Sequence, residues 1–578
     1  MTSKTEDIPD LLAELPPRIR KQVRDLAEHL VLPAGKTLFD MGDQGTALYL
    51  VVAGSLGVYL PGADGCNRLI ALIWPGETVG EMSLISGLPR SATVIAIRDT
   101  EMLRLTKGKF DRLVAAEPKL AQGLNKLLVH RLRQVSSGVT THLEPKTVAF
   151  LPATRGDDAL NLANAMADGL REQGKSVQII TDRQIGKTSK WFTETESRND
   201  FLFMCAEKEH AGWWGLCTRQ ADRVLIVANA SDAQMSDLPP ELLRQRAEHQ
   251  LLDLVLLHSP DTTQPSGTRN WRNKLPVNRH FHIRHGNKDD LARIIRLVMG
   301  HSVGLVLSGG GARAYAHVGV IKALHEAGVP VDFIGGTSMG GIVGACLASG
   351  WPPDELEAKV REAFLLSNPL SDYTLPFVSL VKGDIVVKRL REFFGDIEIP
   401  DLWWPYFCVS SNLTNGHIEV HENGNLVDAL LASIALPGVL PPQIGDHGVL
   451  ADGGILNNMP VDVMRGRHRG PIAAVDVARD HALTPSDLRR ETAAPLFQRI
   501  KHPAIVSILM RAGTISHQEA NRERSSIADI VFQPPLVDVD IRDWKAFDET
   551  VRIGYEHASK VLEEHSHALK VPRRVAMT

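Results

Sequence analysis

Cysteine is scarce in this chain of 578 residues: Cys66, Cys205, Cys217, Cys346 and Cys408 are odd in number, scattered, and without a CxxC pair. That usage argues against a disulfide framework or a zinc site and fits a reducing cytosol. Charge of one sign is lacking too. With a formal net charge of −4 and a sequence pI of about 6.6, the chain has no overall basic field to hold a polyanion, so nucleic acid is not an expected partner. Long apolar runs are missing as well. The two uncharged stretches, residues 45–63 and 333–353, are broken by glycines and polar residues, which excludes them as membrane spans. The opening MTSKTEDIPD has mixed charge and no apolar h-region. Neither a signal peptide nor an anchor is read there, and the expected location is the cytoplasm.

What remains is ordinary globular composition, 43% hydrophobic and 23% charged. Single cores stop growing at roughly 250 to 300 residues, so the chain divides into several domains. From residue 33 to 105 it reads as short strands punctuated by glycine (AGKTLF, ALYLVVAG, LGVYL, RLIALI, SATVIAI, EMLRL), the rhythm of an antiparallel β-roll. Apolar residues at helical spacing over residues 109–133 then predict one or two closing helices, with only Gly123 against them. From Thr147 onward, VAFLPA, SVQIIT, RVLIVAN and DLVLLH alternate with helical patterns, which implies a parallel α/β layer. Gly186-Lys187-Thr188-Ser189 resembles the end of a phosphate-binding loop, but the required glycine is replaced by Thr181, and an ordinary turn is expected. The expected organisation is a β-roll with closing helices (1–144), a central parallel α/β domain (145–300) and a C-terminal α/β hydrolytic domain (301–578).

The third region carries the chemistry. Gly336-Thr337-Ser338-Met339-Gly340 is a GxSxG sequence between a β-rich run and a helical one, where a nucleophile elbow holds its serine at a helix N-terminus. In a chain with 47 glycines the pentapeptide alone is weak, and a glycine-rich turn competes with it. Gly309-Gly310-Gly311 also lies between a strand and a helix, where its amides can bind an oxyanion. A phosphate or dinucleotide loop is the rival, yet neither a GxGxxG register nor a Walker lysine is present. Asp452, in Ala451-Asp452-Gly453-Gly454, is an ordinary turn residue unless Ser338 requires a base. His317, on the helix after the glycine loop, reads as a packed or surface histidine.

SGGGAR, GTSMG and ADGG in this order resemble the patatin-like phospholipase family, as do PVDFIGGTSMGGIVGA, PDLWWPYFCVSSNLTNG, SIALPGVLPP and LADGGILNNMPVDVM. The likeness is greatest to the neuropathy target esterase branch, and RQADRVLIVAN in the middle region resembles it too. This implies a lysophospholipase or phospholipase activity on a Ser338–Asp452 dyad with Gly309, Gly310 and Gly311 as oxyanion hole and no catalytic cofactor. Arg313 is either a phosphate head-group contact or a structural ion pair. Ala314 stands where the family commonly has glycine, which is harmful only if that position requires a positive φ.

Gly80-Glu81-Met82-Ser83, followed by Arg90-Ser91, resembles the phosphate cassette of cyclic-nucleotide-binding domains. Amides at a short helix start would meet the cyclic phosphate, Arg90 neutralise it and Glu81 accept the ribose 2′-hydroxyl. cAMP or cGMP is the implied effector; a retained fold whose Arg90 pairs with Glu81 or with the roll is the alternative. Two other readings of the whole chain are a cyclic-nucleotide-responsive regulator, which would need a helix-turn-helix after the closing helices, and a lipid-binding scaffold without catalysis. Trp213-Trp214 and Trp403-Trp404 suit either buried packing or peripheral contact with a membrane surface.

Overall fold

The structure is a computed structural model that describes residues 17–61, 67–117, 146–154, 156–206, 211–232, 251–275, 277–366, 371–374, 378–467, 470–478, 523–537, 539–541, 543–565 and 569. Its contacts form two compact units, Met1–Leu257 with Pro276–Arg279, and His258–Leu275 with His280–Thr578.

In the first unit the expected β-roll is built from two four-stranded sheets. One orders Glu28–Leu32, Thr100–Thr106, Ala47–Ala53 and Thr78–Val79; the other orders Thr37–Phe39, Thr93–Ala96, Leu56–Pro61 and Asn67–Ile73. Leu48 pairs with Leu105 and Leu50 with Leu103 across an antiparallel ladder. The strand period of two therefore puts all four on one face, where they bury with Leu84, Phe110 and Leu113. Helix Lys107–Ala116 supplies the last two of these and closes the roll; the predicted helical stretch beyond Glu117, like Cys66, lies outside the described residues.

The same unit holds parallel strands in the order Val177–Ile180, Phe201–Cys205, Thr147–Pro152, Arg223–Asn229 and Leu251–His258. Thr147–Pro152 and Phe201–Cys205 are buried at every position, which is why they read as unbroken apolar runs. Gly186 takes a positive φ in a turn, and the Thr188 hydroxyl accepts the Trp191 N–H as a helix N-cap. The expected ordinary turn is what stands there.

A buried charge joins the roll to this layer. Arg98, 3% exposed, donates from Nη1 to both oxygens of Glu196 at 2.7 and 2.8 Å and from Nη2 to Asp222. Asp222 also accepts the Lys146 and Thr147 N–H groups at 2.9 Å, and Thr147 Oγ1 donates to Glu196 at 2.6 Å. Beside it Arg219 donates to Asp99 at 3.2 Å.

The second unit is organised on a sheet ordered Gln443–Gly445, Gly448–Asp452, Tyr406–Asn412, Phe333–Thr337, Gly304–Leu307, Ile472–Val475 and Ile530–Phe532. Its centre is parallel and its first edge antiparallel. Helix Ala316–Glu326 crosses helix Phe547–His565 so closely that a Cβ on Gly319 would stand 2.0 Å from the Val551 carbonyl oxygen. Trp213, Trp214 and Trp403 are buried, and the half-buried Trp404 donates its indole N–H to the Val331 carbonyl at 2.9 Å. No helix among the described residues is long and apolar enough to cross a membrane.

Candidate active site

Strand Phe333–Thr337 ends at Ser338, and helix Met339–Ala348 begins at once. Ser338 sits at φ 53° and ψ −127°, the sole non-glycine residue with positive φ among those described. An L-residue held there stores strain, and such strain clusters at functional sites. The turn is tight because its neighbours lack side chains: a Cβ on Gly336 would lie 2.7 Å from the Gly340 carbonyl carbon, and one on Gly340 would lie 2.4 Å from the Leu307 oxygen.

Asp452 arrives from a different element, the end of strand Gly448–Asp452, paired antiparallel with Tyr406–Asn412. Ser338 Oγ donates to Asp452 Oδ2 at 2.7 Å, and the other carboxylate oxygen accepts the Gly454 N–H at 2.8 Å. Burial, 6% exposed, pushes the Asp452 carboxyl up to about 6, against the opposing pull of the Ser338 and Gly454 hydrogen bonds. It is ionised at neutral pH yet far more basic than an ordinary aspartate. The structure therefore brings together the two side chains singled out in the sequence, which stand 114 positions apart.

The glycine triplet divides. A Cβ on Gly309 would stand 3.0 Å from Ser338 Cβ, whereas Gly310 faces Val477 and Gly311, at φ 56°, faces the Ile541 carbonyl. Among the described residues the Gly309 and Gly310 N–H groups meet no acceptor. Arg313 is 4% exposed and its Nε donates to the Val539 carbonyl at 2.7 Å. Ala314 is fully buried and has no positive φ, so its methyl brings no backbone strain. His317 is fully buried too. Its Nε2–H donates to the Ser308 carbonyl at 2.8 Å, and burial lowers it to about 4. It is the packed histidine expected, neutral at working pH.

Two residues not singled out in the sequence support the serine. Ser433 accepts the Ser338 N–H at 2.9 Å while donating to Val409 O at 2.8 Å, so one hydroxyl ties the elbow to the next strand. Asn458 donates to Gly309 O at 3.2 Å. Both lie inside stretches that carry the family resemblance, SIALPG and ILNNMP, and position inside a motif was the available signal.

In the roll, Gly80 takes φ 85° before helix Glu81–Ser86. Glu81 is 2% and Arg90 4% exposed, while Met82 and Ser91 face outward. Arg90 donates to the Gly80 carbonyl and Ser83 Oγ at 2.8 Å and to the Ala47 carbonyl at 2.7 Å, with its guanidinium 4.0 Å over Phe39. Its Nε lacks an acceptor, and burial lowers its pKa against the opposing pull of Tyr49, Glu81 and Asp43. Its direct hydrogen bonds run to neutral atoms, while the Glu81 and Asp43 carboxylates partly offset the cost of burying its charge.

Comparison with known proteins finds three family models along the chain. Residues 29–117 match the cyclic nucleotide-binding domain, 144–299 the neuropathy target esterase family P-loop like domain, and 305–465 the patatin-like phospholipase family. Patatin-like phospholipase domain-containing protein 6 of Homo sapiens is 27% identical over 95% of this chain and 45% of its own length. Lysophospholipase NTE1 of Cryptococcus neoformans is 27% identical over 94% of this chain and 39% of its length. An uncharacterized NTE family protein of Mycobacterium tuberculosis is 28% identical over 96% of this chain and 95% of its length. The chain spans less than half of the first two relatives. Successive segments of the chain are thus similar, in order, to the cyclic nucleotide-binding domain, the P-loop like domain of the neuropathy target esterase family and the patatin-like phospholipase family.

Proposed function

We propose that the chain is a serine lipid acyl hydrolase of lysophospholipase or phospholipase type, working on lipid at a membrane surface and responding to a cyclic nucleotide. The observation that carries this reading is the 2.7 Å hydrogen bond from Ser338 Oγ to Asp452 Oδ2 at a strained elbow. Asp452 takes the hydroxyl proton as Ser338 Oγ attacks the ester carbonyl carbon, and the N–H groups of Gly309, Gly310 and Gly311 receive the developing oxyanion. The proton passes from Asp452 to the leaving alkoxide, giving the alcohol and an acyl-serine. Water, deprotonated by Asp452, then attacks the acyl carbon; the fatty acid leaves and Ser338 regains its proton. These steps call on no metal or organic cofactor.

The pH profile follows from the carboxyl. Protonated Asp452 cannot accept a proton, so kcat/KM rises as pH passes about 6 and levels off above it. Asp452→Asn should keep the fold and lose this activity, whereas His317→Gln should retain most of it; the reverse ranking, read with a lysophospholipid panel, would remove the dyad. Stability should move the other way. A carboxyl raised above its ordinary value contributes stability below about pH 4 that is lost as pH climbs through about 6. Asp452→Asn should therefore be more stable than wild type at pH 8, by up to about 3 kcal/mol, in urea unfolding.

For the roll, the buried Arg90 supports an anionic effector, while its three hydrogen bonds to Gly80, Ser83 and Ala47 are equally those of a retained fold whose Arg90 pairs with the roll, so binding is the deciding measurement. Calorimetry of the full chain with cAMP and with cGMP should show saturable heat, lost in Arg90→Ala. A coupling of about 1 to 3 kcal/mol would change hydrolysis by roughly 5- to 150-fold. No heat from either nucleotide leaves the roll a structural or docking part.

A further inference from the structure

Close packing demands glycine on both sides of the peptide that joins Gly309 to Gly310. A Cβ on Gly309 would stand 2.7 Å from Asn458 Oδ1 and 3.0 Å from Ser338 Cβ, and one on Gly310 would stand 2.7 Å from Val477 Cγ2. The loop can therefore approach the nucleophile, but it gives up rigidity. A peptide plane between two glycines turns over easily, because neither neighbour has a side chain to oppose the rotation. Turned over, it would present a carbonyl oxygen where an oxyanion needs an N–H.

Asn458 opposes that rotation. Its Nδ2 donates to the Gly309 carbonyl at 3.2 Å, and no other donor meets that carbonyl among the described residues. A carbonyl only accepts, so the NH₂ end of the amide is the one that faces Gly309. The peptide is trans, which places its N–H, carried by Gly310, on the edge opposite Asn458. That N–H meets no acceptor among the described residues.

Asn458 itself is anchored through the turn that follows the base. The Leu456 and Asn457 N–H groups donate to the Gly453 carbonyl at 3.2 and 2.9 Å. Thr337 Oγ1, one residue before the nucleophile, donates to the Asn457 carbonyl at 3.0 Å, and Asn457 Nδ2 donates to Asp462 Oδ1 at 2.9 Å. The Asn458 Oδ1 lies so near the start of this turn that a Cβ on Gly454 would stand 3.0 Å from it. Residues 452–458 thus reach Ser338 through a carboxylate and the glycine loop through an amide.

We infer that Asn458 is a positioning residue for the oxyanion hole: its amide holds the Gly309–Gly310 peptide in the orientation that offers the Gly310 N–H to the oxyanion. The inference rests on the acyl-hydrolase reading. It makes one turn responsible for both the base and the alignment of the hole. Asn458 touches neither the substrate nor the reacting atoms, and it acts through the peptide it holds.

The test uses the full chain with Asn458→Leu, which keeps the bulk and removes the donor, and a soluble ester, p-nitrophenyl butyrate. Activity is expressed per Ser338 titrated with a short fluorophosphonate, so misfolded molecules are not counted. Leaving the Gly309 carbonyl unsatisfied should lower kcat about 10- to 100-fold, short of the roughly 10²- to 10³-fold that loss of a whole oxyanion donor brings. KM should stay within about threefold, since the hydrogen bond matters to the transition state and not to ground-state binding. An alkyl trifluoromethyl ketone, whose adduct with Ser338 carries an oxyanion, should lose affinity by the same factor as kcat. Asn458→Ala, the smaller change, carries the same measurements should the leucine variant not label. A kcat per labelled serine within about threefold of wild type, a loss confined to KM, or an unchanged ketone affinity overturns the assignment. Failure of the fluorophosphonate to label wild type at Ser338 instead removes the acyl-hydrolase reading itself.

Discussion

Replacing Ser338 by alanine lowers ester hydrolysis on the order of 10⁴-fold or more, the scale on which removing a nucleophile acts. No other described hydroxyl donates to Asp452, so no neighbouring group stands ready to take over the attack. The loss should be accompanied by an intact fold, because the elbow is held by its backbone: the Ser338 N–H on Ser433 Oγ and the Ile342 N–H on the Ser338 carbonyl. Ser338→Gly sharpens the argument. Glycine adopts φ 53° without the steric cost that serine bears there, and strain of that kind amounts to about 1 to 3 kcal/mol. The glycine variant should be as inactive as alanine and more stable than wild type in urea. Turnover above about a hundredth of wild type in either variant would place the nucleophile elsewhere.

The second large effect concerns the join inside the first unit. Arg98→Ala leaves Glu196 and Asp222, 13% and 23% exposed, without the cation that holds them. Breaking a buried pair by removing one partner costs about 3 to 5 kcal/mol, and the residual exposure of the two acids puts this case at the lower end. The cost should appear as a lower urea midpoint for the first unit and as faster hydrogen exchange at strands Thr93–Ala96 and Thr147–Pro152. Arg98 lies just past the end of strand Thr93–Ala96, which begins shortly after Arg90, so the variant should also uncouple nucleotide from hydrolysis if the effector reading holds. An unchanged midpoint would mean that the roll and the layer hold together without this triad. The join also decides how nucleotide binding is best measured: a fragment ending near residue 144 strips Arg98 of both acids, which is why the full chain is the sample.

Much of the fold is legible in the sequence because its signals are local. Glycine-punctuated strands at 33–105 and the unbroken apolar runs from Thr147 onward reflect how far each strand is buried, and burial follows from the layer to which the strand belongs. The elbow is equally local, since five consecutive residues impose a turn that only glycines at Gly336 and Gly340 permit. The concern over Ala314 was also local in origin, but its answer was not: the chain around it takes a helical turn with no positive φ.

What the sequence by itself determined is therefore composition class, the alternation of elements, the elbow and the residue types fit for nucleophile, base and cation. Tertiary structure alone decided which of these meet. Asp452 reaches Ser338 because strand Gly448–Asp452 pairs with Tyr406–Asn412, which in turn pairs with the strand leading to the serine, and no pattern within a window of residues records that register. It is likewise folding that raises Asp452 to about 6, through lost solvation, and that sets Ser433, Asn458 and the Arg98 triad in place. Hydrogen bonds and desolvation depend on distances in space, and a sequence fixes those only once its sheets have closed.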